Sequence, residues 1–234
     1  MEKGLIIAID GPSGVGKSTI AKLVAEKLEI LYIDTGAIYR AITWKALENH
    51  VDLEDESSIL KMIKGIKIQF KYIAHHKKKF CKLFLDKEDV TRRIRSPRID
   101  KHVSDIAKLP KIRLELITLQ RRLAKNGSIV MEGRDIGSTI LKNADLKFFF
   151  IASAEERANR RYKELKDKGY KITYEEVKEQ LVNRDHIDSK RKSSPLKKAK
   201  DAIVIDSTNK SIKEVIDDVL YFVDEYRKKR KITK

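Results

Sequence analysis

The chain has 234 residues, and its 52 lysines and arginines outnumber its 35 aspartates and glutamates, giving a formal net charge of +17. An apolar fraction of 41% is enough to bury a core, which excludes a disordered chain, and no apolar run is long enough for a membrane-spanning helix. The first strand starts too near the N-terminus to leave room for a signal peptide, and the single cysteine, Cys81, cannot close an internal disulfide, so the expectation is one cytoplasmic domain, 1–234, acting as a monomer.

In chain order, an apolar strand is expected over 5–10 and a helix over 17–28, with Ile20, Leu23, Val24 and Leu28 at helical spacing. Between them lies Gly11-Pro12-Ser13-Gly14-Val15-Gly16-Lys17-Ser18, the G-x-x-x-x-G-K-[ST] phosphate-binding loop in its proper strand–loop–helix context. Its glycines let successive N–H groups point at an anion, and the helix aims its positive end at the same place. Gly11 to Thr19 are therefore expected to bind a nucleoside triphosphate. Lys17 would reach the β/γ-phosphates and Ser18 would ligate Mg²⁺.

A short strand is expected over 30–33, followed by Asp34-Thr35-Gly36 and a helix from Ala37. Residues 55–65 read as a helix. Over 66–94 the pattern turns extended: Ile66, Ile68 and Phe70 alternate with polar residues, Phe80, Leu83 and Leu85 continue it, and a third short strand is expected over 90–94. This is a small antiparallel insert. Helices are expected at 99–107 and 111–125, the latter with Leu114, Ile117 and Leu123 as its apolar residues. Strands follow at 128–132, 146–151 and 202–206, and helices at 154–168, 174–188 and 212–229. Three helix starts carry a Ser/Thr-x-x-Glu capping box, at Ser153, Thr173 and Ser211.

Strands separated by helices imply an α/β fold with an open parallel sheet, whose ligands sit at the carboxyl ends of the strands. The motifs do follow strands: the phosphate loop, Asp34 to Arg40, Glu132-Gly133-Arg134-Asp135, and Ser207-Thr208-Asn209. The positive charge is scattered through 75–79, 190–192, 197–198 and 227–231 rather than held in one block. No aromatic-basic strand signature of an RNA-binding sheet appears, so nucleic acid is not the expected partner. A basic P-loop nucleic-acid-binding protein nevertheless stays open on the charge.

Asp34-Thr35-Gly36-Ala37-Ile38-Tyr39-Arg40, Gly133-Arg134-Asp135 and Arg184-Asp185…Asp188…Arg191 together resemble the bacterial cytidylate kinases over nearly the whole chain. That resemblance implies a nucleoside-monophosphate kinase core (1–65, 95–153 and 192–234), with helices on both faces of the sheet. The insert (66–94) would lie in the monophosphate-binding part, and 154–191 would form a helical lid. It implies Mg²⁺-dependent transfer from ATP to CMP or dCMP. Arg40 and Arg134 would clamp the acceptor phosphate, with Arg191 a further ligand. Ser104 and Arg113 would read the base, with Thr35 and Tyr39 lining the pocket. Arg184 and Asp188 would contact the ribose. Arg157 would stack on adenine, and Arg160 and Arg161 would meet the transferring phosphoryl group. Asp135 would help read the base or hold an arginine, or else serve as a helix N-cap. Glu132 departs from the aspartate common in the family at that position.

The chemistry agrees with this reading. A phosphate acceptor is already ionised at neutral pH, so no general base is needed, and catalysis rests on alignment and charge neutralisation. Such a site is rich in arginine, and the five histidines here match no motif. Another small-acceptor P-loop kinase, such as one for shikimate, is the nearer alternative. It would have no reason to keep Arg184, Asp188 and Arg191.

Overall fold

The computed structural model describes residues 4–75, 78–125 and 127–232. His76 and Lys77 of one basic cluster, the side chain of Phe80, and the last two residues of the basic tail lie outside the described ones. The chain divides into two compact units: Met1–Tyr32 with Asn126–Lys190 and Ser194–Lys234, and Ile33–Lys125 with Arg191–Ser193.

The five-stranded sheet uses β1 (Ile6–Asp10), β2 (Leu31–Asp34), β6 (Ile129–Gly133), β7 (Leu146–Ile151) and β8 (Ile203–Asp206) in the order β2-β6-β1-β7-β8. It is parallel where β1 pairs with β6 and β7 and where β7 pairs with β8. β1 is central, pairing Asp10 with Gly133 on one side and with Phe149 on the other. Its apolar run suits burial on both faces, and Ile7, Ala8 and Ile9 are fully buried. In this unit the sheet is flanked by α1 (Lys17–Leu28) and α8 (Ile212–Ile232), which also contact each other. A hairpin of α6 (Ala154–Asp167) and α7 (Tyr174–Lys190) packs Ala158 and Leu165 against Val177 and Leu181. The boxes at Thr173 and Ser211 are reciprocal, each hydroxyl accepting from the glutamate N–H while that carboxylate accepts from the Thr or Ser N–H. At Ser153 only half the box forms, because Glu156 turns to Arg160 instead.

The second unit holds α2 (Thr35–Glu48), α3 (Glu56–Gly65), α4 (Pro97–Lys108), α5 (Pro110–Leu123) and an antiparallel sheet of β3 (Ile68–His75), β4 (Lys78–Leu85) and β5 (Glu88–Asp89). Its core gathers Ile38, Ile42, Ile59, Ile106, Ile112 and Leu116. α2 starts at Thr35, two residues earlier than expected, because the Asp34 carboxylate accepts from Ala37 N–H at 2.9 Å and caps the helix. The third strand of the insert is two residues at 88–89 and not 90–94. Asp86 and Lys87 both take positive φ, 49° and 75°, so the hairpin turns back at once. Leu83 N–H then donates to the Thr91 hydroxyl, and Val90 and Ile94 turn inward to the core.

Leu114 is the other correction. It is 68% exposed, whereas Ile112, Leu116 and Ile117 are buried. The inward face of α5 includes the polar Arg113 and Gln120, both almost fully buried. An apolar-only reading of the periodicity therefore misplaces Leu114, while Ile117 is buried and Leu123 packs against the core as expected. Leu116→Ala is expected to cost about 2–5 kcal/mol in urea unfolding, while Leu114→Ala stays within about 0.5 kcal/mol of the parent. Equal losses would place the two side chains in the same environment.

Candidate active site

The phosphate loop is shaped by its glycines. Gly14 and Gly16 hold φ of 80° and 86°, the left-handed region that side chains disfavour. A Cβ on Gly11 would collide with the carbonyl of Phe150, and one on Gly14 would come within 3.0 Å of Arg157 Cβ. The loop thus presses its backbone against its neighbours and keeps side chains out of the cradle. Lys17 begins α1, is buried, and donates from Nζ to Pro12 O at 2.6 Å, closing the loop on itself. Ser18 and Thr19 follow in the first turn and are exposed. The Ser207 hydroxyl lies 3.1 Å from Val15 O, so the turn after β8 holds the loop from behind.

Lys17 sits among charges. Burial, and then the cations Arg134 and Arg184, push its ammonium down to about 7, against the pull of Glu132 and Asp10. Arg134 follows β6. Its Nε donates to Asp188 Oδ2 on α7 at 2.8 Å, and that carboxylate is buried. Burial works against the Arg134 charge, but Asp188 more than compensates and holds it firmly protonated. Arg184 lies one turn before Asp188 and adds its field at Lys17. Glu132 is buried and accepts from the Tyr32 hydroxyl at 2.7 Å, which fixes the longer carboxylate.

Asp135 does not cap the π-helical turn Ile136–Ile140 that follows it with its side chain. Asp10 supplies that cap: its two oxygens accept from Ile136 N–H at 2.7 Å and Gly137 N–H at 2.8 Å. Burial raises the Asp10 carboxyl to about 7, although those two N–H groups and Lys17 favour its charge.

Arg157 and Arg160 of α6 lie beside the loop. Arg157 Nη1 donates to Ser13 O at 3.1 Å and pairs with Asp185 of α7, whose carboxylate also accepts from Ser13 N–H. Arg160 pairs with Glu156 one turn back at 2.7 Å, and donates to the Ser207 hydroxyl and carbonyl at 3.1 and 2.6 Å. Arg161 pairs with Glu164 along its own helix.

In the other unit, Arg113 is 1% exposed, donates to Ala107 O, and lays its guanidinium over the Tyr39 ring at 5.5 Å. Ser104 on α4 and Thr35 are buried. Arg40 donates to Asp100 at 3.1 Å. Arg95 pairs with Asp34, and this pair, with Arg40 nearby, outweighs burial and holds the Asp34 carboxyl below its usual range. Arg191, nine residues beyond Val182 in sequence, is buried.

Sequence reasoning gave no role to Asp10, Asp185, Ser207 or Arg95. Asp185 stood inside a quoted motif. Asp10 carried a faint signal, a carboxylate ending an apolar strand just before a phosphate loop. Ser207 headed the segment expected after the last strand, and Arg95 carried no signal.

A parallel sheet, a glycine loop with a buried lysine, and arginines held by buried carboxylates define a P-loop phosphotransferase. The chain belongs to the cytidylate kinase family: the sequence model described as Cytidylate kinase matches residues 7–225. It is 48% identical over 225 residues to the Cytidylate kinase of Bacillus subtilis (strain 168), covering 96% of this chain and 99% of that one. It is 46% identical over 216 residues to the Cytidylate kinase of Clostridioides difficile (strain 630), covering 92% and 96%. Among solved structures, a protein from Eubacterium ventriosum ATCC 27560 described as uncharacterized shares the fold, with a TM-score of 0.50 at 13% identity over 95% of this chain and 99% of that one.

A lysine depressed to about 7 should regain its proton when a polyphosphate arrives beside it. Calorimetry in buffers of different ionisation heat is therefore expected to show uptake of up to about one proton on triphosphate binding near pH 8. Lys17→Met should lose this uptake. Binding heats independent of buffer would contradict the depressed lysine.

Proposed function

We propose that this chain transfers the γ-phosphoryl group of MgATP to CMP and dCMP, giving ADP with CDP or dCDP. The observation that carries the reading is Arg134, held by buried Asp188 in the field of the phosphate-loop lysine. A cation so placed suits charge spreading over a transferring phosphoryl group. Membership of the cytidylate kinase family supplies the acceptor. The shikimate alternative would need activation of a hydroxyl acceptor, and the family match speaks against it.

In the reaction an oxygen of the CMP phosphate attacks the γ-phosphorus, the bond to the β-phosphate oxygen breaks, and ADP leaves with the electron pair. The acceptor oxygen is already ionised, so no proton need be removed. Gly11 to Thr19 would hold the ATP phosphates, with Lys17 bridging them. The Ser18 hydroxyl is exposed at the start of α1 and fits the one protein ligand that a phosphate-held Mg²⁺ asks for. Among the described residues there is no cluster of three or more His, Cys, Asp or Glu side chains for a fully protein-built metal cage. Mg²⁺, when bound, neutralises charge on the phosphate oxygens.

Arg40, Arg134 and Arg191 would take the acceptor phosphate, and Arg184 and Asp188 the ribose hydroxyls. Cytosine offers an amine donor beside ring acceptors. Ser104 and Arg113, with Thr35 and Tyr39 lining the pocket, would supply complementary acceptors and donors, and Asp135 would help read the base or hold an arginine. Uracil would leave buried polar groups unpaired, which is the strong form of discrimination. Arg157 would stack on adenine through its planar guanidinium. Arg160 and Arg161 would meet the transferring group as the lid, 154–191, closes and excludes water.

Two measurements test this reading. In coupled ADP-release assays CMP and dCMP should outpace UMP by about 10⁴-fold in kcat/KM; turnover of UMP or AMP above CMP would overturn the substrate assignment. Arg134→Ala should lower kcat/KM for CMP by about 10³-fold while triphosphate binding survives. Unchanged kinetics would remove Arg134 from the site.

A further inference from the structure

We propose that Asp10 is a positioning residue for the reaction: it fixes the turn that carries Arg134 and ties that arginine to the phosphate loop. This rests on the reading of Arg134 as an acceptor-phosphate ligand.

Three observations converge. First, both Asp10 oxygens are committed to the two N–H groups that follow Arg134-Asp135, at 2.7 and 2.8 Å, in a site where the side chain is buried. Hydrogen bonds from amides to an ionised, water-excluded carboxylate are short and strong. Second, the same turn is gripped from its other side. A Cβ on Gly137 would stand 3.1–3.4 Å from the Lys147 stem, and the Lys147 ammonium is pinned by Lys142 O at 2.6 Å and by Asp201 at 2.8 and 3.0 Å. Third, Arg134 reaches Asp188 with its head group, so its guanidinium is set by Asp188 at one end and by the Asp10-held backbone at the other.

Asp10 is also the last residue of β1, directly before Gly11 of the loop. A strand end and a side chain of the same residue thus define the loop and the arginine together. Because Asp10 takes the cap that Asp135 would otherwise supply, the Asp135 side chain need not fold back on its own turn. The charged groups facing Asp10 are Lys17 and Asp135. Burial lifts its carboxyl to about 7, so its charged form, the one that accepts both N–H groups, is gained as pH rises through neutrality.

The test is a double-mutant cycle on the full-length enzyme near pH 8. Asp10→Asn keeps the shape but turns an NH₂ toward one of the two N–H donors, so one bond is lost. It is expected to lower kcat/KM for CMP by about 10- to 100-fold, with the Kd for ATP within about threefold of the parent. In an Arg134→Ala background the same substitution should change kcat/KM by less than about twofold, since coupled residues are not additive. Thermal melting accompanies each variant, and Asp10→Ser replaces Asp10→Asn if the latter does not fold. An equal loss in both backgrounds, or no loss in the parent, overturns the proposal while leaving Arg134 as a ligand. If Arg134→Ala alone has no effect, the reading of Arg134 fails and this proposal fails with it.

Discussion

Crowding of positive charge in a buried space is the constraint on which the phosphate-binding unit depends. Burial first, and then the fields of Arg134 and Arg184, bring the Lys17 ammonium down to about 7. A polyphosphate would reverse that, but the fold must survive without one. It does so by placing carboxylates where cations meet: Asp188 on Arg134, Asp185 on Arg157, Glu132 and Asp10 in the field of Lys17. Asp185, Glu132 and Asp10 each also hold a piece of backbone or a hydroxyl, so balancing charge and fixing geometry are done by the same atoms.

The same device recurs in the other unit. Asp34 caps α2 through Ala37 N–H and at the same time pairs with Arg95 beside Arg40. Asp100 holds Arg40, and Arg113 is oriented by Ala107 O and the Tyr39 face. Arginines that are oriented in advance lose less entropy per hydrogen bond formed with a ligand. Most of the described lysines, by contrast, are exposed. Those include pairs such as Lys168–Glu164 and Lys228–Glu225, which contribute little to stability.

Much of the architecture was legible because local signals agreed. The apolar runs of β1 and β7, the glycine loop, and the capping boxes at Thr173 and Ser211 each point to one structure. The expected and observed spans of α1 and β7 coincide. Reading failed where a polar residue turned inward or a turn lacked its usual residues. Arg113 and Gln120 occupy the buried face of α5, so counting apolar residues put Leu114 on the wrong side. Asp86 and Lys87 take positive φ without a glycine, which hid the tight hairpin before β5. The π-helical turn after Asp135 has no sequence signature of its own, and its cap comes from a residue 126 positions away.

What the sequence determined by itself is the set of chemical groups: a glycine loop of the phosphate-binding type and arginines in motifs of fixed spacing. Those follow from residue identity and short-range spacing, which the chain carries openly. What only the tertiary structure decided is which carboxylate holds which cation. Asp10, Asp185 and Asp188 reach partners 28 to 172 residues distant. Such pairings depend on strand order and helix packing, not on local pattern. The phosphate loop can be read from eight letters, but the strut that joins it to Arg134 exists only once β1 and β6 lie side by side.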